Sequence, residues 1–344
     1  MAFSVKDLGI DLGTANTIIY NNDAGVMLNE ASVIAYDKYT GDIIATGTKA
    51  KAMYGKAPRN IEVVKPLQEG VISDFDMAAE MLQRFIKQAL EEKRPNNLRV
   101  VVGVPSGVTD VEKKAVIEVV KDVGGKEVYV MDEPMAAAIG AGFDIEESEA
   151  CMIADIGGGT TDVAILSLGG IVVANSLRYA GDRMTDLVIA YIRKKKGILI
   201  GTKTAEDLKV SVGSALIERD AEGNEIIRTV SARGRDLVSG FPKTFEVTNK
   251  DMEEALREAV DTIIDAIKST VEKAPPEIAA DIAENGMVLS GGGSLIENFD
   301  KLISMRTGME VTVAENPYEA VAIGTGKSLL NIEKLKRYAD VKIR

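Results

Sequence analysis

One short pattern occurs twice in this chain and constrains its fold more than any other feature. The segments GIDLGTANTIIY (residues 9–20) and IADIGGGTTDVAIL (residues 153–166) share an aspartate between apolar residues, a glycine-containing turn and an apolar strand. The two aspartates, Asp11 and Asp155, lie 144 residues apart in a chain of 344 residues. Each copy has the pattern of a β-hairpin. The repeat therefore predicts two related halves that each begin with the same hairpin.

The glycine turns of these hairpins are suited to binding phosphate. Glycine lets backbone N–H groups point at an anion, and a following Thr or Asn adds a hydrogen bond without bulk. A third glycine turn, Gly291–Gly293, lies between a predicted strand and a predicted helix, where an anion is also favoured. The sequence has no P-loop and no GxGxxG motif in strand–turn–helix context. One such turn alone is more often a plain β-turn, but three at matching positions predict a phosphate clamp between the halves.

The chain contains no histidine, which excludes Ser-His-Asp and Cys-His catalysis and the usual zinc sites. Any catalysis would use carboxylates, lysines, hydroxyls and a hard metal ion. Such a cation arrives with a triphosphate, prefers oxygen ligands and keeps several waters. Asp11 and Asp155 are therefore predicted to hold Mg²⁺ through water, the alternative being that they only cap turns.

The composition predicts a globular, cytoplasmic protein. With 46% apolar and 27% charged residues, the chain can build two domains with sizeable cores. No apolar run approaches the roughly 18 residues that span a bilayer, and the opening MAFSVKDLGIDLG lacks the order of a signal peptide. The single Cys151 suits a reducing compartment. The net charge of −12 argues against a nucleic-acid partner.

Alternating strand and helix patterns predict a mostly parallel sheet covered by helices in the first half. Residues 76–93 have the stripe of an amphipathic helix with Asp74 as a cap, and 99–104 read as a buried strand. Thr109 and Glu112 form a capping box that opens the next helix. In that helix Val111, Ala115, Val116, Val119, Val120 and Val123 are predicted to face the core, which leaves Ile117 off the stripe as a candidate contact residue.

The second half repeats this organisation. Thr204 and Asp207 resemble another capping box, and residues 220–248 are predicted to form hairpins in a smaller inserted lobe. A long helix is predicted from about Asn249 to Lys273, because two prolines follow it.

These motifs carry a resemblance to a known family. GIDLGTANT, DEPMAAAIGAG, ADIGGGTTDVAIL and LSGGGSLIENFDKLI, in this order, resemble the phosphate, connect and adenosine motifs of the superfamily of actin, sugar kinases and heat-shock-chaperone ATPases. KPLQEGVISDFD, VVVGVPSGVTDVEKKAV, EDLKVSVGSA and APPEIAADI are similar to stretches of the MreB family of bacterial actin-like cytoskeletal proteins. The resemblance runs from Asp7 to about Leu330.

The resemblance implies an α/β, actin-like ATPase fold. Two related halves would each contain a mixed sheet flanked by helices and a smaller inserted lobe, with a nucleotide cleft between the halves. The implied division is a first core (IA) of residues 1–32, 66–147 and 315–344, a small lobe (IB) of 33–65, a second core (IIA) of 148–181 and 246–314, and a small lobe (IIB) of 182–245.

It also implies positions for the nucleotide, ATP or ADP. The first two turns would hold phosphates, a helix after Thr204 would contact adenosine, and the third turn would lie near adenine and ribose. The implied contacts are Gly13, Thr14, Ala15, Asn16, Gly157, Gly158, Gly159, Thr160, Gly181, Asp182, Glu206, Lys209, Gly291, Gly292, Gly293 and Ser294.

The implied catalytic residues are Glu133, Thr160, Asp11 and Asp155. Glu133 would orient the attacking water, a role for which a carboxylate hydrogen-bonded to water suffices. Its alternative role is that of a helix-start acid favoured by the dipole. Thr160 would bond the same water or the γ-phosphate, although the adjacent Thr161 is an alternative. Asp132 stands where relatives commonly carry a second Glu, and Lys51 lies either near the phosphates or on the surface.

The implied function is an ATPase that slowly hydrolyses ATP with Mg²⁺ and polymerises with copies of itself into filaments, acting in cell shape or motility. A small-molecule kinase or a chaperone-type ATPase of the same superfamily is the alternative. A kinase needs an acceptor pocket with a base, for which no separate motif is found. A chaperone needs a substrate-binding region after the ATPase, and only about 20 residues follow the last predicted core helix.

The last 18 residues, KSLLNIEKLKRYADVKIR, are basic in an acidic protein. Six basic and two acidic side chains accompany Leu329, Leu330, Ile332 and Leu335. Such a tail could dock on anionic lipid at the inner face of the plasma membrane, at about 1 kcal/mol per basic residue. A solvated helix end is the equally weighted alternative.

Overall fold

A computed structural model describes residues 6–91 and 97–338 of the protein. The described residues of the first half form one short helix, three longer helices and ten strands: β1 (Lys6–Leu12), β2 (Asn16–Asn21), β3 (Gly25–Ala31), β4 (Ile34–Asp37), β5 (Ile43–Thr46), α1 (Gly47–Lys51), β6 (Ile61–Val64), β7 (Leu67–Gln68), β8 (Val71–Ile72), α2 (Phe75–Leu90), β9 (Leu98–Val104), α3 (Asp110–Asp122), β10 (Gly125–Asp132) and α4 (Glu133–Ala141).

The rest of the described chain continues with the same mixture of strands and helices. Its elements are β11 (Cys151–Ile156), β12 (Thr161–Ser167), β13 (Gly170–Leu177), α5 (Gly181–Lys196), β14 (Ile198–Leu199), α6 (Thr202–Val212), β15 (Thr229–Asp236), β16 (Pro242–Thr248), α7 (Asn249–Glu272), α8 (Pro276–Asn285), β17 (Met287–Ser290), a 3-10 helix (Gly292–Leu295), α9 (Phe299–Thr307), β18 (Val311–Val313), α10 (Ala320–Ser328) and α11 (Ile332–Tyr338).

Two five-stranded sheets of matching topology form the framework. Their strand orders are β10-β9-β1-β2-β3 and β13-β12-β11-β17-β18. In each sheet the repeated hairpin continues into a third antiparallel strand, while two parallel strands lie on its other side. The prediction of a mostly parallel sheet is therefore wrong, because each of the two sheets has as many antiparallel as parallel strand pairings. The mixed sheets of the actin-like fold are confirmed.

Two three-stranded sheets lie outside this framework. One has the order β5-β4-β6 and the other β14-β15-β16. β15 and β16 pair antiparallel from Thr229 to Thr248, which confirms a hairpin within the predicted stretch 220–248.

The helices bury the sheets and join the halves. One apolar cluster covers the first sheet beneath α2 and α3, and another covers the second sheet beneath α5, α6 and α7. A third cluster lies between the sheets and contains side chains from β9, β10, β11, β12, α4 and α10. Since α4 begins at Glu133, this shared core also positions a predicted catalytic residue.

Several local predictions are confirmed. The Asp74 side chain accepts a hydrogen bond from Met77 N at the start of α2, and Thr109 and Glu112 form the predicted capping box of α3. The long helix α7 ends at Glu272, within a residue of the predicted boundary. A capping box at its start, Thr248 with Asp251, was not predicted.

The predicted capping box at Thr204 and Asp207 is wrong. α6 already begins at Thr202, with Gly201 as its N-cap and no side-chain capping bond. Gly201 has the extended backbone that an N-cap needs, so Thr204 lies inside the first turn of the helix rather than before it.

The predicted buried face of α3 is also wrong in part. Val111 is 76% exposed, whereas Ile117 is only 1% exposed and packs in the core. The buried stripe contains Val116, Val119, Val120 and Val123 as expected and also includes Ile117, because positions 116, 117 and 120 follow helical spacing as well.

The basic C-terminal segment is partly integrated into the core. Leu329 and Leu335 are buried and Ile332 packs beside them, while Leu330 is exposed. The Lys334 side chain pairs with Glu146. Residues 339–344 of this segment lie outside the described residues. Within the described ranges, no helix is long and apolar enough to cross a membrane.

Candidate functional site

The turns of the two repeated hairpins meet face to face. A Cβ built on Gly158 would lie 2.5 Å from the Ala15 Cβ, and one built on Gly159 would lie 2.5 Å from the Thr14 Oγ1. Real Cβ atoms do not approach this closely, so the contact between the turns requires glycine at both positions. This close approach brings the predicted phosphate loops of the two halves together.

A cavity of about 330 Å³ opens where the two turns meet. All the residues predicted from the sequence to touch nucleotide, catalyse or hold metal line it, except Ser294: Asp11, Gly13, Thr14, Ala15, Asn16, Glu133, Asp155, Gly157, Gly158, Gly159, Thr160, Gly181, Asp182, Glu206, Lys209, Gly291, Gly292 and Gly293. Ser294 is buried beside it, and its Oγ donates to the Gly291 carbonyl at 2.6 Å, which closes the third turn.

The third glycine turn lies next to the second hairpin because β17 pairs with β11. Gly291 has φ +76°, and a Cβ on it would lie 2.3 Å from the Ile156 carbonyl oxygen. Ser290, which pairs with Asp155 in the sheet, donates its hydroxyl to Asp155 Oδ1 at 2.6 Å. Ser290, at the end of β17, therefore fixes the side chain of Asp155, one of the two predicted magnesium ligands.

The start of α5 is tied to the second hairpin turn. Gly181 N donates to the Gly157 carbonyl at 3.1 Å, and Asp182 N donates to the Gly158 carbonyl at 2.7 Å. The N-terminus of this sixteen-residue helix thus faces the cavity, where its dipole favours an anion.

Three carboxyl groups on different elements concentrate negative charge at the cavity. Burial and the neighbouring Asp155 raise the pKa of Asp11 to about 8, and burial raises the pKa of Asp155 to about 7. Glu133, the first residue of α4, is 7% exposed, and burial followed by the charge of Asp162 raises its pKa well above the usual value. Such a cluster binds protons or a cation, because the ionised carboxylates repel one another when neither is present.

The structure distinguishes the two adjacent threonines. Thr161 is fully buried and its Oγ1 donates to the Tyr179 carbonyl at 2.9 Å, on the far side of the strand. Thr160 lines the cavity. Only Thr160 is therefore placed to touch a ligand there.

Charged side chains from both halves meet across the cavity mouth. Lys51 Nζ lies 3.0 Å from Glu206 Oε1, and Lys65 Nζ lies 2.8 Å from Asp182 Oδ2. Lys51 does not line the cavity but pairs with a residue that does. Lys209 donates to the Gly181 carbonyl at 2.7 Å and to Thr185 Oγ1 at 2.9 Å, which braces α6 against α5. Burial lowers the pKa of Lys209.

Sequence reasoning missed the apolar part of the cavity. Val210 and Leu295 line it although they are 79% and 60% exposed, and the Tyr318 ring lies against Gly292. The remaining unpredicted lining residues are Leu12, Ile18, Gly70, Met184, Ile296, Pro317 and Val321. No local sequence pattern marks these positions, so only the structure shows that they line the cavity. The site thus joins an apolar slot to a polar, glycine-lined end, which suits a nucleotide base and its phosphates.

Known proteins match this chain over almost its whole length. A model of the MreB/Mbl protein family matches residues 5–337. The cell shape-determining protein Mbl of Bacillus subtilis is 44% identical over 332 residues, which cover 96% of this chain and 98% of that protein. The cell shape-determining protein MreB of Escherichia coli is 45% identical over 334 residues, which cover 95% and 94% of the two chains.

Solved structures give the same result. MreB 5 of Spiroplasma citri bound to AMPPNP superposes with a TM-score of 0.89 at 37% identity, covering 97% of this chain and 98% of that one. The ADP-bound form of that protein also has a TM-score of 0.89. A double helical filament of MamK matches with a TM-score of 0.79 at 22% identity, over 95% of this chain and 99% of that one, and shows likeness of fold alone.

Proposed function

The chain belongs to the MreB/Mbl family of cell shape-determining proteins, and we propose that it binds and slowly hydrolyses ATP and polymerises into filaments. The observation that carries this proposal is the contact between two glycine turns, one from each half, beside three carboxyl groups with raised pKa values. Relatives that share the fold are bound to AMPPNP and ADP, and a more distant one forms a double helical filament. The actin-like division into cores IA and IIA and small lobes IB and IIB is part of the same proposal.

The glycine turns would hold the phosphate chain. Residues 13–16 and 157–160 line the cavity from its two sides, and the start of α5 adds the positive end of a helix dipole. The adenosine would occupy the apolar slot of Val210, Leu295 and Tyr318 beside Glu206.

The carboxylates Asp11 and Asp155 fit a magnesium ion held through water. Asp155 is buried and Asp11 is partly buried, and both have raised pKa values, so a cation is needed to keep both charged. In the described parts of the chain, no three acidic, cysteine or histidine side chains converge to hold a metal directly. When bound, Mg²⁺ supplies neutralisation of phosphate charge.

Glu133 would accept the proton of the attacking water. The water oxygen forms a bond to the γ-phosphorus while the bond from that phosphorus to the β–γ bridging oxygen breaks, giving ADP and inorganic phosphate. The raised pKa of the Glu133 carboxyl makes it a better proton acceptor than an exposed glutamate. The Thr160 hydroxyl would orient the water or the γ-phosphate.

The basic tail would also associate with an anionic membrane surface. Because Leu329 and Leu335 are buried, such a contact would depend on Lys and Arg side chains rather than on apolar insertion. The cell compartment implied is the cytoplasm, at the inner face of the plasma membrane.

The proposal is tested by sedimentation and electron microscopy of purified protein with ATP and magnesium. Filaments should pellet, and Glu133→Ala should slow phosphate release while AMPPNP binding is kept, since Glu133 would act on water rather than on nucleotide. The exposed Glu147→Ala is the matched control and should behave as the wild type. Protein that stays monomeric on anionic lipid at high concentration but phosphorylates a metabolite would instead be a kinase of this fold.

A further inference from the structure

Asp162 is a buried carboxyl that the proposed mechanism does not use. It is the second residue of β12, is 0% exposed and does not line the cavity. Sequence reasoning did not single it out, because the surrounding TDVAILS segment is typical of a buried strand.

The internal repeat shows that the fold does not require a carboxyl at this position. In the first hairpin Asp11 pairs directly with Ile18, and in the second Asp155 pairs with Asp162. Directly opposed residues of an antiparallel pair share a face, and like charges there are destabilising. The first half therefore has an apolar residue where the second half carries a buried charge beside another one.

Asp162 links the two halves behind the site. Its Oδ1 accepts a hydrogen bond of 2.9 Å from Ser106 N, which follows β9 in the first half. Among the residues that the structure describes, Asp162 Oδ2 and Ser106 Oγ have no hydrogen-bond partner. Burying a carboxylate is costly for stability, so its presence points to function rather than to folding.

The same link reaches the cavity wall through packed neighbours. A Cβ on Gly70 would lie 2.7 Å from both Pro105 Cγ and Thr160 Cγ2, so the turn at Pro105 and the Thr160 side chain press on the same glycine. Gly70 N in turn donates to Thr14 Oγ1 at 2.9 Å. Pro105, the neighbour of Ser106, therefore packs against the same glycine that contacts Thr160 and Thr14 of the two hairpin turns.

Asp162 also lies next to the side chains proposed to handle water. The hydroxyls of Ser176 and Thr160 lie beside its carboxyl and offset part of the pKa increase that burial causes. The charge of Asp162 is the second-largest cause, after burial, of the raised pKa of Glu133. These neighbours place its charge within reach of both residues.

We propose that Asp162 is a positioning residue for the hydrolysis step. Its bond to Ser106 holds the carboxylate in place, where it orients the Thr160 hydroxyl and its negative charge increases the proton affinity of Glu133, and it does not touch nucleotide. This inference rests on the proposed ATP hydrolysis.

The test compares kcat for ATP with AMPPNP affinity and melting temperature in three variants. Asp162→Asn keeps an acceptor for Ser106 N but removes the charge, and should lower kcat on the order of 10- to 100-fold, the loss expected when a reacting group is misplaced. Asp162→Ile recreates the first hairpin, and should lower kcat at least as much while melting at or above the wild-type temperature. Both should bind AMPPNP as the wild type does, and Asp162→Glu should recover part of kcat.

Asp281→Asn is the matched control, because Asp281 Oδ2 accepts a bond of 3.0 Å from Ala150 N, away from the cavity. It should keep wild-type kcat. Wild-type kcat in Asp162→Asn and Asp162→Ile would overturn the inference, and so would a parallel loss of AMPPNP affinity and melting temperature, which indicates a structural role. Failure of the wild type to hydrolyse ATP would refute the proposed function itself.

Discussion

At the scale of single residues, the site is a concentration of negative charge that folding does not favour. Asp11, Asp155, Glu133 and Asp162 approach one another from four different elements, and burial raises the pKa of each. Three of them, Asp11, Asp155 and Glu133, are identified from the sequence by their positions in strands and at the start of a helix. The fourth, Asp162, is recognisable only from its register opposite Asp155 and its bond to Ser106.

These raised pKa values predict a stability that falls as pH rises. Between the ordinary carboxyl pKa near 4 and the folded value of about 7, Asp155 binds more protons in the folded protein than in the unfolded one, so the free energy of unfolding decreases with pH in that window. Each such group contributes a slope of at most about 1.4 kcal/mol per pH unit.

The measurement is the melting temperature of nucleotide-free, magnesium-free protein from acidic to slightly alkaline pH. The melting temperature of Asp155→Asn should fall less steeply with pH. This variant lacks one titrating carboxyl group and relieves its neighbours Asp11 and Asp162 of a like charge. Adding ADP with magnesium to the wild type should flatten the decline. Equal slopes for the variant and the wild type would contradict the assignment.

At the scale of elements, the crossing of α4 and α10 sets the position of Glu133. Gly140 on α4 lies against the Ala320 carbonyl of α10, and Gly324 on α10 lies against the Ala136 carbonyl of α4. Two glycines at the crossing allow the helix backbones to touch. Their mutual contact is between residues about 180 positions apart and leaves no local signal in the sequence.

Gly324→Ala is expected to destabilise the protein and slow hydrolysis. Its Cβ would lie 1.7 Å from the Ala136 carbonyl oxygen, so the helices must separate. Overpacking of this kind costs about 1 to 3 kcal/mol, which outweighs the gain of about 1 kcal/mol in helix propensity.

Urea unfolding and the rate of phosphate release would measure the two effects. Gly201→Ala serves as the control, because a Cβ there would meet nothing within 4 Å and its φ is negative. A stable Gly324→Ala variant with normal phosphate release would show that the contact of α4 with α10 does not position Glu133.

At the scale of the whole molecule, the two halves meet at two levels. The apolar cluster between the sheets joins them at the base, and ion pairs join them at the cavity mouth. Arg178 adds two further pairs across the halves, with Glu69 and Glu112, each at 3.6 Å. The base is dry and close-packed while the mouth is solvated, so opening of the cleft should begin at the mouth.

Removing the charged contacts at the mouth should speed nucleotide release. The Lys51→Ala, Lys65→Ala double variant loses two partly exposed pairs, each worth at most about 1 kcal/mol, so ADP should bind less than roughly 30-fold more weakly. High salt should narrow the difference from the wild type, because salt screens the same pairs.

Stopped-flow release of a fluorescent ADP would follow this change at low and high salt. Lys203→Ala, which breaks a pair within α6 alone, is the control and should release ADP as the wild type does. Unchanged release by the double variant would mean that the apolar cluster alone holds the cleft closed.

The sequence by itself determined the repeated hairpins, the three glycine turns, the carboxylates at the strand ends and membership of the family. These features follow from turn chemistry and strand pattern, which are local properties of the chain. Tertiary structure alone decided that Thr160 rather than Thr161 reaches the cavity, that Ile117 rather than Val111 is buried, and that Tyr318 and Val210 complete the site. Each of these depends on how segments far apart in sequence pack against one another, and hydrophobic periodicity does not carry that information.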